Sequence, residues 1–228
     1  MTQNWLILET SGRVARVGLA RAGAIVGRAE LDSSRRHARE MMPTASALLK
    51  AESLAPQDLA GVMASTGPGS YTGLRVGLVT AKALAYALGC ELRAVGAFWA
   101  VAHQAPADAQ HVWVISDALQ GQVYAQRFAR QRDGWLPSND LRITSAKIFA
   151  ATISAEDWLS GPGLGVYDSQ LPATNPRVNE SDREPRVESI FAVGSRLMRP
   201  LTHEEVFALE PLYLRGSSAE EKANEPRG

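Results

Sequence analysis

A chain of 228 residues is long for one core and comfortable for two small lobes, and its 45% hydrophobic content excludes wholesale disorder. A formal net charge of zero argues against a dedicated, standalone nucleic-acid binder, which neutralises several phosphates with a basic face. The single cysteine, Cys90, permits no internal disulfide and fits a reducing compartment. Trp5 to Leu8 is too short for a leader and runs into Glu9, and no apolar run reaches the roughly 20 residues of a membrane span, so a cytoplasmic protein is expected.

The chain opens as a strand meander. Asn4 to Glu9, Val14 to Ala20 and Ala24 to Leu31 are short, apolar or β-branched, and separated by SerGlyArg and ArgAlaGly turns. A helix is predicted from Arg36 to Leu54 with Met41, Met42, Ala45, Leu48 and Leu49 on its apolar side; Pro43 either kinks it or marks its start. A buried strand at Ala60 to Thr66, a helix at Thr72 to Leu88 and a strand at Glu91 to Val95 complete the order β-β-β-α-β-α-β. That order implies a mixed sheet with helical crossovers, an α/β lobe of the ribonuclease-H-like kind.

After a short helix through Phe98 to His103, His111 to Asp117 and Gln122 to Ala129 read as a hairpin around LeuGlnGly, echoing the opening. Ser145 to Thr152 and Val187 to Leu201 read as helices, and the second has an apolar face of Ile190, Phe191, Val193, Gly194, Leu197 and Met198. Pro172 to Arg186 is polar and proline-bearing, the composition of a loop free to move. Ala208 to Leu214 reads as a returning strand or docking segment. The expected organisation is a first lobe over 1–106, a less complete second lobe over 107–214 and a disordered tail over 215–228.

Residues 64 to 86 are the most informative stretch. Gly67, Pro68 and Gly69 stop the preceding strand, and Ser70 or Thr72 can cap the helix that follows. Along that helix Gly73, Gly77, Ala81 and Ala85 recur every four residues, leaving one face almost bare beside Leu74 and Leu78. Glycine costs about 1 kcal/mol against alanine in a helix, so close approach of another backbone is the expected reason. The turn is no Walker A loop, because no GlyLysSer or GlyLysThr follows it. A helix-start anion site and a purely structural turn both stay open.

GlyProGlySerTyrThrGlyLeuArgValGly at 67 to 77 with AlaLysAlaLeuAla at 81 to 85, SerArgArgHis at 34 to 37 before MetMetPro, AspAla and ValTyr near 117 to 124, and LeuTyrLeuArg at 212 to 215 together resemble the TsaB family. The resemblance runs along nearly the whole chain. It implies a two-lobed ASKHA fold, actin-like and ribonuclease-H-like, with a mixed sheet and helices in each lobe. It also implies a non-catalytic partner of a homologous subunit, TsaD, which transfers threonylcarbamoyl to the adenosine beside the anticodon of tRNAs reading A-starting codons. TsaE, an ATPase, joins that pair, and TsaC makes the adenylate; tRNA is met through the complex, and the chain alone is expected to self-associate as a homodimer. The partner surface expected on this basis comprises His37, Met41, Met42, Ala45, Gly73, Leu74, Gly77, Leu78, Ala81 and Ala85.

The residues themselves argue against independent catalysis. His37, His103, His111 and His203 show no HisXaaXaaXaaHis or HisGluXaaXaaHis spacing, so no mononuclear metal site is expected. A degenerate nucleotide site is expected at Glu9, Ser11, Gly67, Gly69, Asp117, Gly161 and Gly163. Glu9 stands where the family usually has aspartate, and Leu119, Gln122 and Pro162 replace other polar positions. No cofactor is required on this reading, although weak ATP/Mg²⁺ binding stays open. Two alternatives remain: an independent ATP-dependent enzyme or peptidase of the same superfold, and direct tRNA recognition through Arg35, Arg36 and Arg39.

Overall fold

The computed structural model describes residues 3–31 and 37–212. Strand β1 (Asn4–Glu9) is apolar on both faces, as a strand covered on both sides must be, and all six of its residues are buried. It lies antiparallel to β2 (Arg16–Arg21) and parallel to β4 (Leu59–Ser65), in a sheet ordered β3-β2-β1-β4-β5 with β3 at Ala24–Glu30 and β5 at Glu91–Val95. The meander therefore forms as expected, with β2 starting two residues later than its apolar run.

Because side chains alternate along β1, the strand feeds two cores. Leu6 and Leu8 join Val17, Leu19, Val62 and Ala64 under α1 (His37–Ala51) and α2 (Tyr71–Leu88). Trp5 and Ile7 join Met63 and Val95 on the opposite face, beneath α3 (Ala97–Ala102) and α6 (Val187–Leu197). Ser70 caps α2 by accepting a bond from the Gly73 amide at 3.2 Å, and Gly89 ends it in the left-handed conformation. Pro43 lies inside α1, so it does not mark the helix start.

The second sheet repeats the plan of the first. β6 (His111–Asp117) and β7 (Gln122–Gln131) are antiparallel, and β10 (Trp158–Ser160) adds parallel to β6 as β4 does to β1. β8 (Gly134–Pro137) and β9 (Arg142–Ser145) pair with successive halves of β7, and no strand corresponds to β5 among the described residues. α4 (Ala146–Ala150) and α5 (Leu164–Tyr167) close this core around Phe149, Leu164 and Tyr167. Two mixed sheets flanked by helices, the second a shortened echo of the first, make the two-lobe ASKHA arrangement.

Several segments depart from their sequence reading. β8, β9, β10 and α5 carry no expected element. Residues 172–186, expected as a free loop, run along β10: Leu159 N donates to Pro176 O and Val178 N to Leu159 O, each at 2.9 Å. α6 stops at Leu197 rather than Leu201 and packs on the first sheet, although it lies beyond residue 106. α7 (His203–Ala208) occupies sequence given no helix; of the two readings open for Ala208 to Leu214, a returning strand or a docking segment, the described part after α7 docks, with Leu212 N donating to Thr66 O at 2.9 Å. The tail expected to be disordered, 215–228, lies outside the described residues.

Candidate functional site

Glu9 ends β1 pointing to the α6 side, where the fold could present a carboxylate to a nucleotide. Here the carboxylate folds back on its own loop instead. Glu9 Oε1 accepts from Ser11 N at 2.7 Å, Ser11 Oγ at 2.6 Å and Gly12 N at 3.1 Å, and the residue is fully buried. Burial pushes its carboxyl above the ordinary range, while the Ser11 and Gly12 bonds pull the other way. The Gly67–Gly69 turn packs onto this loop: Ser70 N donates to Ser11 O at 2.8 Å, and a Cβ on Gly69 would lie 2.7 Å from Ser11 Cβ. Glu184 reaches over the loop from the segment before α6, 3.3 Å from a Cβ on Gly12, and pairs with Arg16 at 3.6 Å.

The second lobe repeats the device. Asp117 ends β6, and its Oδ1 accepts from Leu119 N at 2.8 Å and from Tyr167 Oη at 2.7 Å. Desolvation, then the Asp117 carboxylate, pushes the Tyr167 phenol up to about 12, so it remains a donor. Gly161 and Gly163 pack against the β6 backbone, Gly163 N donating to Ile115 O at 2.9 Å. The structure thus brings Glu9, Ser11 and Gly69 together, and separately Asp117, Gly161 and Gly163; Gly67 accepts from Ala97 N at 2.8 Å at the edge of the first group.

ATP and Mg²⁺, which the fold class implies, do not fit the closed Glu9 group. Glu9 is fully buried with Oε1 taken by its own turn and Oε2 without a partner, the Gly67–Gly69 turn, a candidate anion site, is packed on Ser11, and Glu184, paired with Arg16, lies over the loop. Asp117 is exposed with Oδ1 alone engaged. Among the described residues no three His, Cys, Asp or Glu side chains gather closely enough to hold a metal ion.

The bare stripe of α2 does not face a partner, and that expectation is corrected. Gly73, Leu74, Gly77, Leu78, Ala81 and Ala85 are all buried inside the chain. A Cβ on Gly73 would meet Thr10 O, and one on Gly77 would meet Thr10 Oγ1, each closer than the 3.0 Å that real Cβ atoms keep. The close approach is therefore between α2 and the end of β1. Met41 and Ala45 of α1 are buried in the same core and are corrected likewise, whereas Met42 is 44% exposed. The side chain of His37, like Arg35 and Arg36, lies outside the described residues.

The opposite face of α2 is the one left open. Val79 and Tyr86 are 67% and 71% exposed, and Phe207 of α7 is 59% exposed with its ring centre 6.2 Å from that of Tyr86. Lys82 holds α7 in place, its Nζ donating to Phe207 O at 2.8 Å and Leu209 O at 3.0 Å. An uncovered apolar ridge of this kind marks an interaction surface.

Comparison with known proteins decides the family. Residues 30–135 match the family model described as TsaD: tRNA N6-adenosine threonylcarbamoyltransferase. An uncharacterized Mycobacterium tuberculosis protein is 31% identical over 94% of this chain and 92% of its own length. The Bacillus subtilis tRNA threonylcarbamoyladenosine biosynthesis protein TsaB is 33% identical, the match spanning 52% of each protein, and the Escherichia coli protein of that name is 26% identical over 95% of this chain and 96% of its own. The chain belongs to the TsaB family. YeaZ from Pseudomonas aeruginosa shares the fold, with a TM-score of 0.79 at 23% identity over 93% of this chain and 100% of that one.

In this member of the TsaB family, sequence reasoning found the strand-end carboxylates but missed the ridge. A signal was present: Val79, Ala83 and Tyr86 repeat at helical spacing on the side of α2 away from the glycines, making the helix apolar nearly all round. A surface helix with a second apolar face needs something to cover it.

Proposed function

We propose that the chain is a non-catalytic subunit of tRNA threonylcarbamoyladenosine biosynthesis that pairs with and activates TsaD. The observation that supports this reading is the pair of strand-end carboxylates, Glu9 and Asp117, each held through one oxygen by its own turn, with Glu9 shut inside the protein. A chain whose strand-end carboxylates are tied to their own turns, and whose described residues gather no group of three metal-ligating side chains, acts through its surface. The exposed side of α2, extended by Tyr86 and Phe207 and flanked by Met42 of α1, supports pairing there, with a second copy of the chain when TsaD is absent. On this reading TsaE joins the pair, tRNA is met through the complex, no cofactor is required, and the work is cytoplasmic.

An independent enzyme or peptidase has less support. Ser11 Oγ donates to Glu9 at 2.6 Å, and Ser70 Oγ accepts from Gly73 N as a helix cap, so neither hydroxyl stands beside a general base in an open site. The test is reconstitution of tRNA modification from threonine, bicarbonate and ATP with TsaC, TsaD and TsaE, with and without this chain. Threonylcarbamoyladenosine formation should depend on it; equal yield in its absence overturns the reading.

A further inference from the structure

The end of α3, the tip of the β7–β8 hairpin and the end of α6 surround a cavity of about 680 Å³ whose lining includes His103, Arg130, Arg132, Asp133, Trp135 and Arg196. Three guanidiniums face one carboxylate. Arg16, Arg28, Arg177, Arg186 and Arg199 each pair with a carboxylate, whereas Arg132 and Arg196, like Arg13 and Arg39 elsewhere, make no hydrogen bond or ion pair among the described residues; here two such side chains line one cavity.

Arg130 is built into the wall. Its Nε donates to Ala109 O at 2.7 Å and its Nη2 to Pro106 O at 2.6 Å, and its guanidinium lies 4.5 Å from the centre of the buried Trp135 ring. Its Nη1 has no partner among the described residues. His103 is half-buried between the two lobes, and burial followed by the charges of Arg196 and Arg130 pushes its imidazole below the usual range. Arg130 and Arg196 both line the space beside it. Arg132 and Arg196 are exposed, so their guanidiniums can swing over the cavity beside the fixed Arg130, and the planar fork of arginine suits an oxyanion with several acceptors.

We propose that this cavity binds a phosphate group, either a phosphodiester of an RNA backbone or a free phosphate, with Arg132 and Arg196 as its movable donors and Arg130 as the fixed one. The volume exceeds what phosphate alone fills and leaves room for whatever carries it. The proposal does not rest on the subunit role.

The test uses the full chain, an Arg132→Gln/Arg196→Gln double variant, and Lys147→Gln on exposed α4 as a control. Inorganic phosphate is titrated calorimetrically, and an unmodified tRNA is titrated by filter binding at several salt concentrations. At least one ligand should bind the wild type tenfold or more tighter than the double variant, with the control within twofold of wild type. A backbone source is read from loss of tRNA affinity with a salt slope shallower by about 1.5 to 2, as expected for two lost phosphate contacts; a free-phosphate source is read from loss in the phosphate titration alone. Equal binding by wild type and double variant, or no binding of either ligand by the wild type, overturns the proposal. Circular dichroism checks folding, and Arg132→Gln alone, on an exposed hairpin tip, replaces the double variant if that fails to fold. Because only the isolated chain is measured, failure here is distinct from failure of the tRNA-modification assay.

Discussion

Gly77 of α2 sits directly against the Thr10 hydroxyl at the end of β1, so close that a Cβ at position 77 would overlap Thr10 Oγ1 and lie 3.0 Å from its Cγ2. Helix propensity alone would make Gly77→Ala stabilising by about 1 kcal/mol. The overlap reverses that sign: overpacking costs about 1 to 3 kcal/mol, and each lost kcal/mol lowers the melting temperature of a chain this size by roughly 2 to 4 °C. Thermal denaturation of Gly77→Ala should therefore show a loss. Thr10→Ala should recover part of it, because it removes Oγ1 and leaves Cβ 3.1 Å away. Gly165→Ala, where nothing lies within 4 Å, is the comparison that should be nearly neutral. Additive costs at 10 and 77 would show that the two do not meet.

Substitutions in the glycine stripe thus report on folding, and pairing must be probed from the other side of α2. Val79 is 67% exposed, so Val79→Glu should change stability by no more than about 0.5 kcal/mol. Placed on an apolar interface, the same carboxylate would be desolvated without a counter-charge, and association with TsaD should weaken tenfold or more. Analytical ultracentrifugation of the mixture reads this directly. Undiminished pairing by a folded Val79→Glu chain moves the interface off this ridge.

Glu9 makes stability fall as pH rises. Its carboxyl in the folded chain holds a proton more tightly than the ordinary value of 4.5 in the unfolded chain. Between the two values the native state binds more protons, so the stabilisation is fully present below about pH 4.5 and is lost as pH rises through the folded value. Glu9→Gln keeps an acceptor for Ser11 and Gly12 without a charge to bury. The urea midpoint of Glu9→Gln relative to wild type should rise as pH is taken from 4.5 to 7.5; a constant difference would mean that Glu9 does not titrate on folding.

The legible parts of the sequence were those where period and punctuation agree. β1, β5 and β6 have the bounds their apolar runs predict, and Ser70 caps α2 as a hydroxyl after a glycine turn should. β8, β9 and β10 have four, four and three residues, too few to show a period, and their strand character comes from pairing with β7 and β6. The stripe on α2 announced that a backbone comes close but not whose; Thr10 supplies it from within the chain. His103, Arg130, Arg132 and Arg196 show no common spacing, and they meet only because α6 returns to the first sheet.

One buried charge pair ties the second lobe together. Asp157 is 1% exposed; its Oδ1 accepts from Arg127 Nε at 3.0 Å and Nη2 at 2.7 Å, and its Oδ2 from Trp113 Nε1 at 3.0 Å and Ser154 N at 3.1 Å. These bonds join β6, β7 and the turn before β10, and Asn175 adds Nδ2 bonds to the Ser154 and Asp157 carbonyls. Asp157→Ala leaves Arg127 without its counter-charge and the Trp113 N–H without an acceptor. Removing one partner of a buried pair costs about 3 to 5 kcal/mol, and the low end is expected here because the Arg127 side chain keeps 24% of its exposure and can turn to water. Asp157→Asn, which retains one acceptor, should lose less. Urea denaturation followed by tryptophan fluorescence measures both, and a loss below about 1 kcal/mol for Asp157→Ala would show that the network orients these elements without stabilising them.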